Sequence, residues 1–187
     1  MDQLRATADQ AFFEEARGTL QLRQLDAQAA TLGTGSATSR ILVSSGAPTP
    51  TNGMVGANLA LWGGANMQDS AQPLFVTYDG TNGFQAAGFD VSATTLALLQ
   101  GATAGQIVNF DAVAGTQTMT ANASMQALRR RTTANTQLLN SPANFAITLG
   151  STGAVGQGAG LFLAHTADNE VTHTANFTFG GGQEGMI

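Results

Sequence analysis

Residues 171–179, Val-Thr-His-Thr-Ala-Asn-Phe-Thr-Phe, alternate apolar or aromatic residues with Thr and Asn. This period of two predicts a β-strand that turns one face toward a core. Residues 161–165, Leu-Phe-Leu-Ala-His, form a second apolar run, and the turn-like segment 166–169 separates the two. We therefore predict a hairpin near the end of the chain.

Similar short runs lie upstream. A hairpin is predicted at residues 73–86, because the segment Asp-Gly-Thr-Asn-Gly at 79–83 has strong turn chemistry. Further strands are predicted at 55–61, 106–113, 116–121 and 145–149, and short helices at 93–99 and 125–131. Strands punctuated by Gly and Asn predict a mainly β fold, an antiparallel β-sandwich or barrel of jelly-roll-like type. No fixed repeat period is evident, which argues against a solenoid.

The amino-acid composition excludes several classes of protein function. Of the 187 residues 10% are charged, and seven Arg, no Lys and twelve acidic residues give a net charge of −5. The absence of Cys excludes disulfide scaffolds, thiolate zinc sites and cysteine nucleophiles, and the absence of Lys excludes a Walker phosphate loop and a Schiff-base enzyme. No signal peptide or membrane-spanning run is evident. We expect a folded protein without a cofactor, whose neutral surface is covered in part by neighbouring subunits.

The N-terminal segment is rich in Ala, Gln, Leu and Glu, which favour helix. We predict a helical arm over residues 1–32, with apolar residues at alternating spacings of four and three, as in a coiled-coil seam. The residues expected to contribute to self-association are Leu4, Ala8, Ala11, Phe12, Leu22, Leu25 and Leu32. Glu15 and Gly18 interrupt the seam. Two alternatives stay open: a self-associating coil, or a helix that packs by one face on its own domain or on a neighbour.

The segment after the arm is rich in Gly, Ser, Thr and Pro. This composition predicts a linker over residues 33–53, with one short strand at 41–43. The predicted organisation is therefore a helical arm at 1–32, a linker at 33–53 and a β-rich domain at 54–187.

Three consecutive arginines, Arg129, Arg130 and Arg131, are the only basic group after Arg40. Guanidinium groups bind carboxylates and phosphates through paired hydrogen bonds. The net negative charge and the lack of Lys argue against direct nucleic-acid binding. We predict that the triplet docks on the acidic residues of a partner, such as Glu14 and Glu15 of a neighbouring copy. The alternative is the solvated end of a short helix.

Three other groups of residues indicate no catalytic or metal-binding site. His165 and His173 meet across the predicted C-terminal hairpin, but histidines at such positions usually fill sheet surface rather than hold a metal. The Ser-containing segments do not match the Gly-x-Ser-x-Gly elbow of hydrolases. The Gly-rich stretch 156–160 precedes a strand rather than a helix, unlike a dinucleotide-binding loop. We predict no catalytic and no metal-binding residues.

Three features carry a resemblance to a known class of proteins. They are the arm, the linker Leu-Gly-Thr-Gly-Ser-Ala-Thr at 32–38 and the Thr/Ala/Gly/Asn-rich body, for example residues 113–124. In composition the chain resembles virion structural proteins of tailed phages, of the head-decoration, fibre or tail type. This resemblance implies a self-assembling, often trimeric, non-enzymatic virion protein bound to a capsid or tail, with partners such as the major capsid protein. The alternatives are a bacterial cell-surface or adhesin-like β module and a small enzyme of unrecognised type.

Overall fold

The computed structural model describes residues 12–16, 19–23, 40–56, 59–63, 72–111, 115–132, 139–150, 158–165, 173–180 and 185–186. The chain divides into two compact units, Met1–Ala87 and Gly88–Ile187. The boundary predicted between residues 53 and 54 lies inside the first of them.

These residues form fifteen strands and one short helix, so the predicted mainly β class is confirmed. The strands of the first unit are β1 (Phe12–Ala16), β2 (Thr19–Arg23), β3 (Leu59–Gly63), β4 (Gln72–Asp79) and β5 (Gly83–Ala86). The elements of the second unit are β6 (Val91–Ala93), α1 (Leu96–Gln100), β7 (Ile107–Asp111), β8 (Gln117–Thr118), β9 (Ala123–Met125), β10 (Ala127–Thr132), β11 (Leu139–Asn140), β12 (Ala146–Leu149), β13 (Ala159–His165), β14 (Asn176–Phe179) and β15 (Gly185–Met186).

The first unit is one five-stranded sheet in the order β1-β2-β3-β4-β5. Its neighbours pair antiparallel except β2 and β3, which pair in parallel. The buried residues of its core are Val55, Leu59, Leu61, Val76 and Tyr78. Of the strand predicted at 55–61, residues 59–61 lie in β3, whereas Val55 lies outside it.

The predicted hairpin at 73–86 is confirmed by β4 and β5. The Asp79 carboxylate organises its turn, because Oδ1 accepts hydrogen bonds from the backbone N–H groups of Thr81 and Asn82 at 2.8 and 2.6 Å. Its Oδ2 accepts from the side-chain amides of Asn82 and Gln85 at 3.0 and 2.7 Å. These bonds, that of the Asn82 backbone first, lower the pKa of Asp79.

The prediction of a continuous helix over residues 1–32 is wrong for the residues of this segment that the structure describes. Phe12 lies in β1 and Leu22 in β2, and these two strands form an antiparallel pair in which Phe13 is the register partner of Leu22. The stretch Thr-Leu-Gln-Leu-Arg at 19–23 has a strand period of two, and β2 also pairs with β3. Because β2 gains backbone partners on both sides, tertiary pairing outweighs helix propensity. The other predicted seam residues, Leu4, Ala8, Ala11, Leu25 and Leu32, lie outside the described residues.

Residues 40–53, the described part of the predicted linker, pack on the β4–β5 hairpin. The carbonyl of Ile41 accepts a hydrogen bond from Phe84 N at 3.2 Å, and Val43 N donates to the Tyr78 hydroxyl at 3.1 Å. Ile41 and Val43 both contact the core of the first unit. The strand predicted at 41–43 is wrong, since these residues adopt no strand.

The second unit is a stack of parallel coils. Each of its three sheets contains only parallel pairs: β15-β13-β10-β7-β6, β14-β12-β9 and β11-β8. Successive coils are in register, so that Ile107, Ala127 and Gly160 lie side by side in the first of these sheets. All three sheets contribute to one core, with the fully buried Phe110, Ile147 and Leu139 drawn one from each.

The prediction of antiparallel strand pairing is therefore wrong for the second unit. The absence of a fixed repeat period in the sequence also did not exclude stacked parallel coils. The coils differ in length, because Ala127 pairs both with Ile107 and with Gly160, and the chain from Ile107 to Ala127 is shorter than the chain from Ala127 to Gly160. Unequal connections leave no fixed period in the sequence. Parallel partners are always distant along the chain, whereas turn signals report only neighbours.

Three local predictions are resolved within this unit. The helix expected at 93–99 is confirmed in α1, shifted to Leu96–Gln100. The helix expected at 125–131 is wrong, because this segment forms β9 and β10, where neighbours on both sides override the helix propensity of Leu and Arg. The C-terminal hairpin is wrong as well: β13 pairs with β10 and β15, whereas β14 pairs with β12 in another sheet.

Candidate functional site

The three arginines lie side by side on β10, the central strand of the five-stranded parallel sheet. Their in-register neighbours are Asn109 and Phe162 for Arg129, Phe110 and Leu163 for Arg130, and Asp111 and Ala164 for Arg131. Since successive side chains of a strand point to opposite faces, Arg129 and Arg131 share one face and Arg130 occupies the other. The triplet is therefore divided between two environments.

Arg130 points into the interior of the stack. It lies on the same face as the core residue Leu128, and its side chain has no exposed surface. Its guanidinium carbon lies 4.4 Å from the centroid of the Phe110 ring, and Nη1 donates to the carbonyls of Phe110 and Arg131 at 3.3 and 3.0 Å. Burial lowers its pKa to about 10, against the opposing effect of the Asp111 charge. Arg130 thus remains charged at neutral pH and braces β10 against β7.

Arg129 lies on the outer face, where two described residues hold its side chain. Its Nε donates to Asn109 Oδ1 at 2.9 Å, and its guanidinium carbon lies 4.4 Å from the Phe89 ring centroid. Asn109 in turn donates through Nδ2 to Asp111 Oδ2 at 3.0 Å. Desolvation lowers the pKa of Arg129, Asp111 raises it and Arg131 lowers it. Only 9% of this side chain is exposed, so its guanidinium is fixed before any partner arrives.

Arg131 is half-buried beside Asp111, its in-register neighbour on β7. The buried Nε of Arg131 and the buried Oδ1 of Asp111 make no hydrogen bond with any described residue. A donor and an acceptor thus stand on adjacent strands of one face.

This outer-face cluster, defined as Asn109, Asp111, Arg129 and Arg131, has the chemistry of an anion-docking site. Arg129 and Arg131 are two residues apart on one strand, which separates their Cα atoms by about 6.6 Å. Forked guanidinium donors match carboxylates in geometry. Two positive charges stand against one carboxylate, so the cluster keeps a net positive charge in a chain whose total is −5.

Sequence reasoning identified the arginines and missed the residues that hold them. Asn109, Asp111 and Phe89 lie far upstream of Arg129, and no local pattern links them to it. Their single signal is chemical: an amide and a carboxylate alternating on a buried strand require partners. The described residues of the predicted self-association seam lie in β1 and β2, in the other unit.

The two histidines are assigned to different sheets. His165 ends β13 opposite Thr132, whereas His173 precedes β14 and its Nδ1 accepts a hydrogen bond from Leu139 N at 3.2 Å. In the part of the chain that the structure describes, no group of three His, Cys, Asp or Glu residues is placed to hold a metal ion.

Among the same residues, no helix has the length and apolar content needed to cross a membrane. Comparison with protein-family models, with curated proteins and with solved structures found no match.

Proposed function

We propose that this chain is a non-enzymatic structural subunit of a virion, a capsid decoration or cement protein or a fibre or tail component. It self-assembles, with a trimer as the state that the phage resemblance implies, and docks on a larger protein scaffold such as the major capsid protein. It needs no cofactor, contacts no nucleic acid directly and spans no membrane. The residues proposed for docking lie in the parallel stack of the second unit.

The observation that supports this proposal most is the fixed geometry of Arg129 and Arg131. Most exposed arginines lose considerable side-chain entropy when they bind, which weakens surface ion pairs. Here Asn109 and Phe89 already hold the Arg129 guanidinium, and strand pairing holds the backbone of Arg131. Docking on a carboxylate therefore costs little additional order, as suits a permanent contact within a particle.

The surface of the stack also suits wide contacts without charge. The outer side of the sheet β14-β12-β9 presents Ser124, Thr148 and Thr178 in one row. The hydroxyl oxygens of Thr148 and Thr178 lie 3.1 Å apart. Such a hydroxyl row is neutral and hydrogen-bonds equally well to a protein surface or to other polar groups.

This row also favours a second candidate, a bacterial cell-surface or adhesin-like β module. Regularly spaced hydroxyls can hydrogen-bond the polar groups of an extracellular ligand. Surface-shaving proteolysis of intact cells distinguishes the two candidates: it releases peptides of the chain if the protein is an adhesin, and releases none if the protein belongs to a particle.

The docking role of the outer-face cluster is tested with an immobilised acidic surface. Binding of the full chain to poly-L-glutamate, measured by surface plasmon resonance at low salt, should fall at least tenfold in the double variant Arg129→Gln/Arg131→Gln. Arg40→Gln is the matched control, because Arg40 is an exposed arginine of the first unit that donates to Thr81 O at 2.9 Å. Equal loss in the control, or none in the double variant, contradicts the assignment of docking to this cluster.

A further inference from the structure

The chain contains two Asn-Gly pairs, Asn52–Gly53 and Asn82–Gly83, and a Thr precedes both. The side-chain amide of such a pair is chemically labile, because the backbone nitrogen of the following glycine, which carries no Cβ, can attack the side-chain carbonyl carbon. In sequence the two pairs are equivalent, since the residues on either side of each asparagine are the same. The structure, however, places them in different surroundings.

The pair Asn82–Gly83 is held in the turn between β4 and β5. The backbone N–H of the half-buried Asn82 donates to Asp79 Oδ1 at 2.6 Å, and its Nδ2 donates to Asp79 Oδ2 at 3.0 Å. Gly83 is buried, and a Cβ at this position would collide with the carbonyl oxygen of Ile41. Approach of the Asn82 side chain to the Gly83 nitrogen therefore requires the loss of the Nδ2 bond and a rearrangement of the turn that the carboxylate organises.

Asn52 and Gly53 are both exposed and form the centre of a separate tight turn. Their φ values are +49° and +76°, the type I′ arrangement that an Asn-Gly pair favours. Thr51 N donates to Met54 O at 2.9 Å and Met54 N to Thr51 O at 3.1 Å, which makes an isolated bridge outside the strands. The Gly53 N–H donates no hydrogen bond to any described residue. An exposed turn with so few backbone bonds opens at a small cost in free energy.

We propose that Asn52 is a deamidation site of this chain and that the folded hairpin protects Asn82 from the same reaction. When the turn at residues 51–54 opens, the Gly53 nitrogen attacks Asn52 Cγ. The N–Cγ bond forms, the Cγ–Nδ2 bond breaks, and the amide nitrogen leaves as ammonia with the proton of the Gly53 N–H. Water then opens the cyclic imide at either of its carbonyls, which leaves aspartate or isoaspartate at position 52.

The reaction alters the first unit next to its core. Both products add a negative charge to a chain whose net charge is −5, and isoaspartate also inserts a methylene group into the backbone of the turn. The hydrogen bonds between Thr51 and Met54 cannot both persist around this longer backbone. Met54 and Val55 are buried, and Val55 N donates to Val76 O at 2.8 Å. Formation of isoaspartate should therefore loosen the packing of these two residues on β4, independently of the proposed docking role.

The two pairs are matched controls within one chain. The full chain is incubated at mildly alkaline pH, either folded or in urea, and digested with chymotrypsin, which cuts after Leu, Met and aromatic residues and so releases residues 43–54 and 79–84 separately. Mass spectrometry then measures the fraction of each peptide in which the amide has become an acid. In the folded chain Asn52 should convert at least about tenfold faster than Asn82, whereas in urea the two rates should be equal. Equal rates in the folded chain, faster conversion of Asn82, or no conversion of Asn52 while the unfolded chain reacts overturns the inference.

Two variants test the site and its protection separately. Asn52→Gln, whose longer side chain would close a larger ring, should abolish the mass gain in the peptide 43–54; a gain that persists contradicts the assignment to Asn52. Asp79→Ala removes the acceptors that hold Asn82, so it should accelerate the conversion of Asn82 in the folded chain and leave that of Asn52 unchanged. An unchanged rate at Asn82, or an equal rise at Asn52, contradicts protection by this carboxylate.

Discussion

The two units obtain their strand order by different means. In the first, β4 and β5 are joined by a turn in which the Asp79 carboxylate accepts hydrogen bonds from Thr81, Asn82 and Gln85, so their register is fixed largely within the hairpin. In the second, β10 lies between β7 and β13, neither of which is its neighbour along the chain. Its register depends on the interior that the coils share. Damage to the hairpin should therefore stay local, whereas damage to the stacked interior should spread through the unit.

The largest expected effect comes from the interior of the stack. Phe110→Ala removes a fully buried ring and should cost about 3–5 kcal/mol of unfolding free energy. It also removes the ring beneath the Arg130 guanidinium. Amide hydrogen exchange followed by mass spectrometry should show faster exchange in β7, β10 and β13. Phe84→Ala, at a ring of the hairpin that packs against the core of the first unit, is the control and should leave these strands protected; fast exchange there would contradict the comparison.

A substitution in the β4–β5 hairpin should have an effect of intermediate size on the unfolding free energy. Gly83 has a φ of +77°, and a Cβ at this position would collide with the carbonyl oxygen of Ile41. Gly83→Ala should therefore lose more than the roughly 1–2 kcal/mol that a left-handed conformation alone costs. Gly46→Ala is matched, since Gly46 has a φ of +67° and open space around it. Equal losses of unfolding free energy in urea titrations would show that Ile41 does not pack closely on the hairpin.

The smallest effect is a pH dependence at the same turn. The pKa of Asp79 lies below its ordinary value of 3.8 in the folded chain, because backbone and side-chain donors favour the carboxylate. Its stabilising contribution is therefore present above pH 3.8 and is lost as the pH falls through the lowered folded pKa. The stability difference between wild type and Asp79→Asn should shrink on acidification below that value. A constant difference would show that the carboxylate does not organise the turn.

The same contrast explains what the sequence could predict. Residues 79–83 encode their turn locally, so the hairpin was predictable from turn chemistry alone. The residues of β10 favour helix when taken alone, and only their distant neighbours on β7 and β13 make them a strand. Leu22 of β2 fits both a heptad and a strand period, and pairing of β2 with β1 and β3 selects the strand.

The candidate site divides in the same way. The charge of Arg129, Arg130 and Arg131 was evident from the sequence, since no other basic group follows Arg40. Arg130 points to the interior, whereas Arg129 and Arg131 share the other face, because side chains alternate along a strand. The helix predicted at 125–131 does not lead to this separation. The contacts of Arg129 with Asn109 and Phe89 depend on parallel register and coil length, and neither leaves a local signal.

The central claim is that this chain is a structural component of a particle. Quantitative mass spectrometry of particles purified from the source culture tests it most directly. The account predicts that the chain is present in a constant stoichiometric ratio to the major capsid protein from one preparation to the next. Recovery of the chain only outside particles, or in a ratio that varies between preparations, would contradict it.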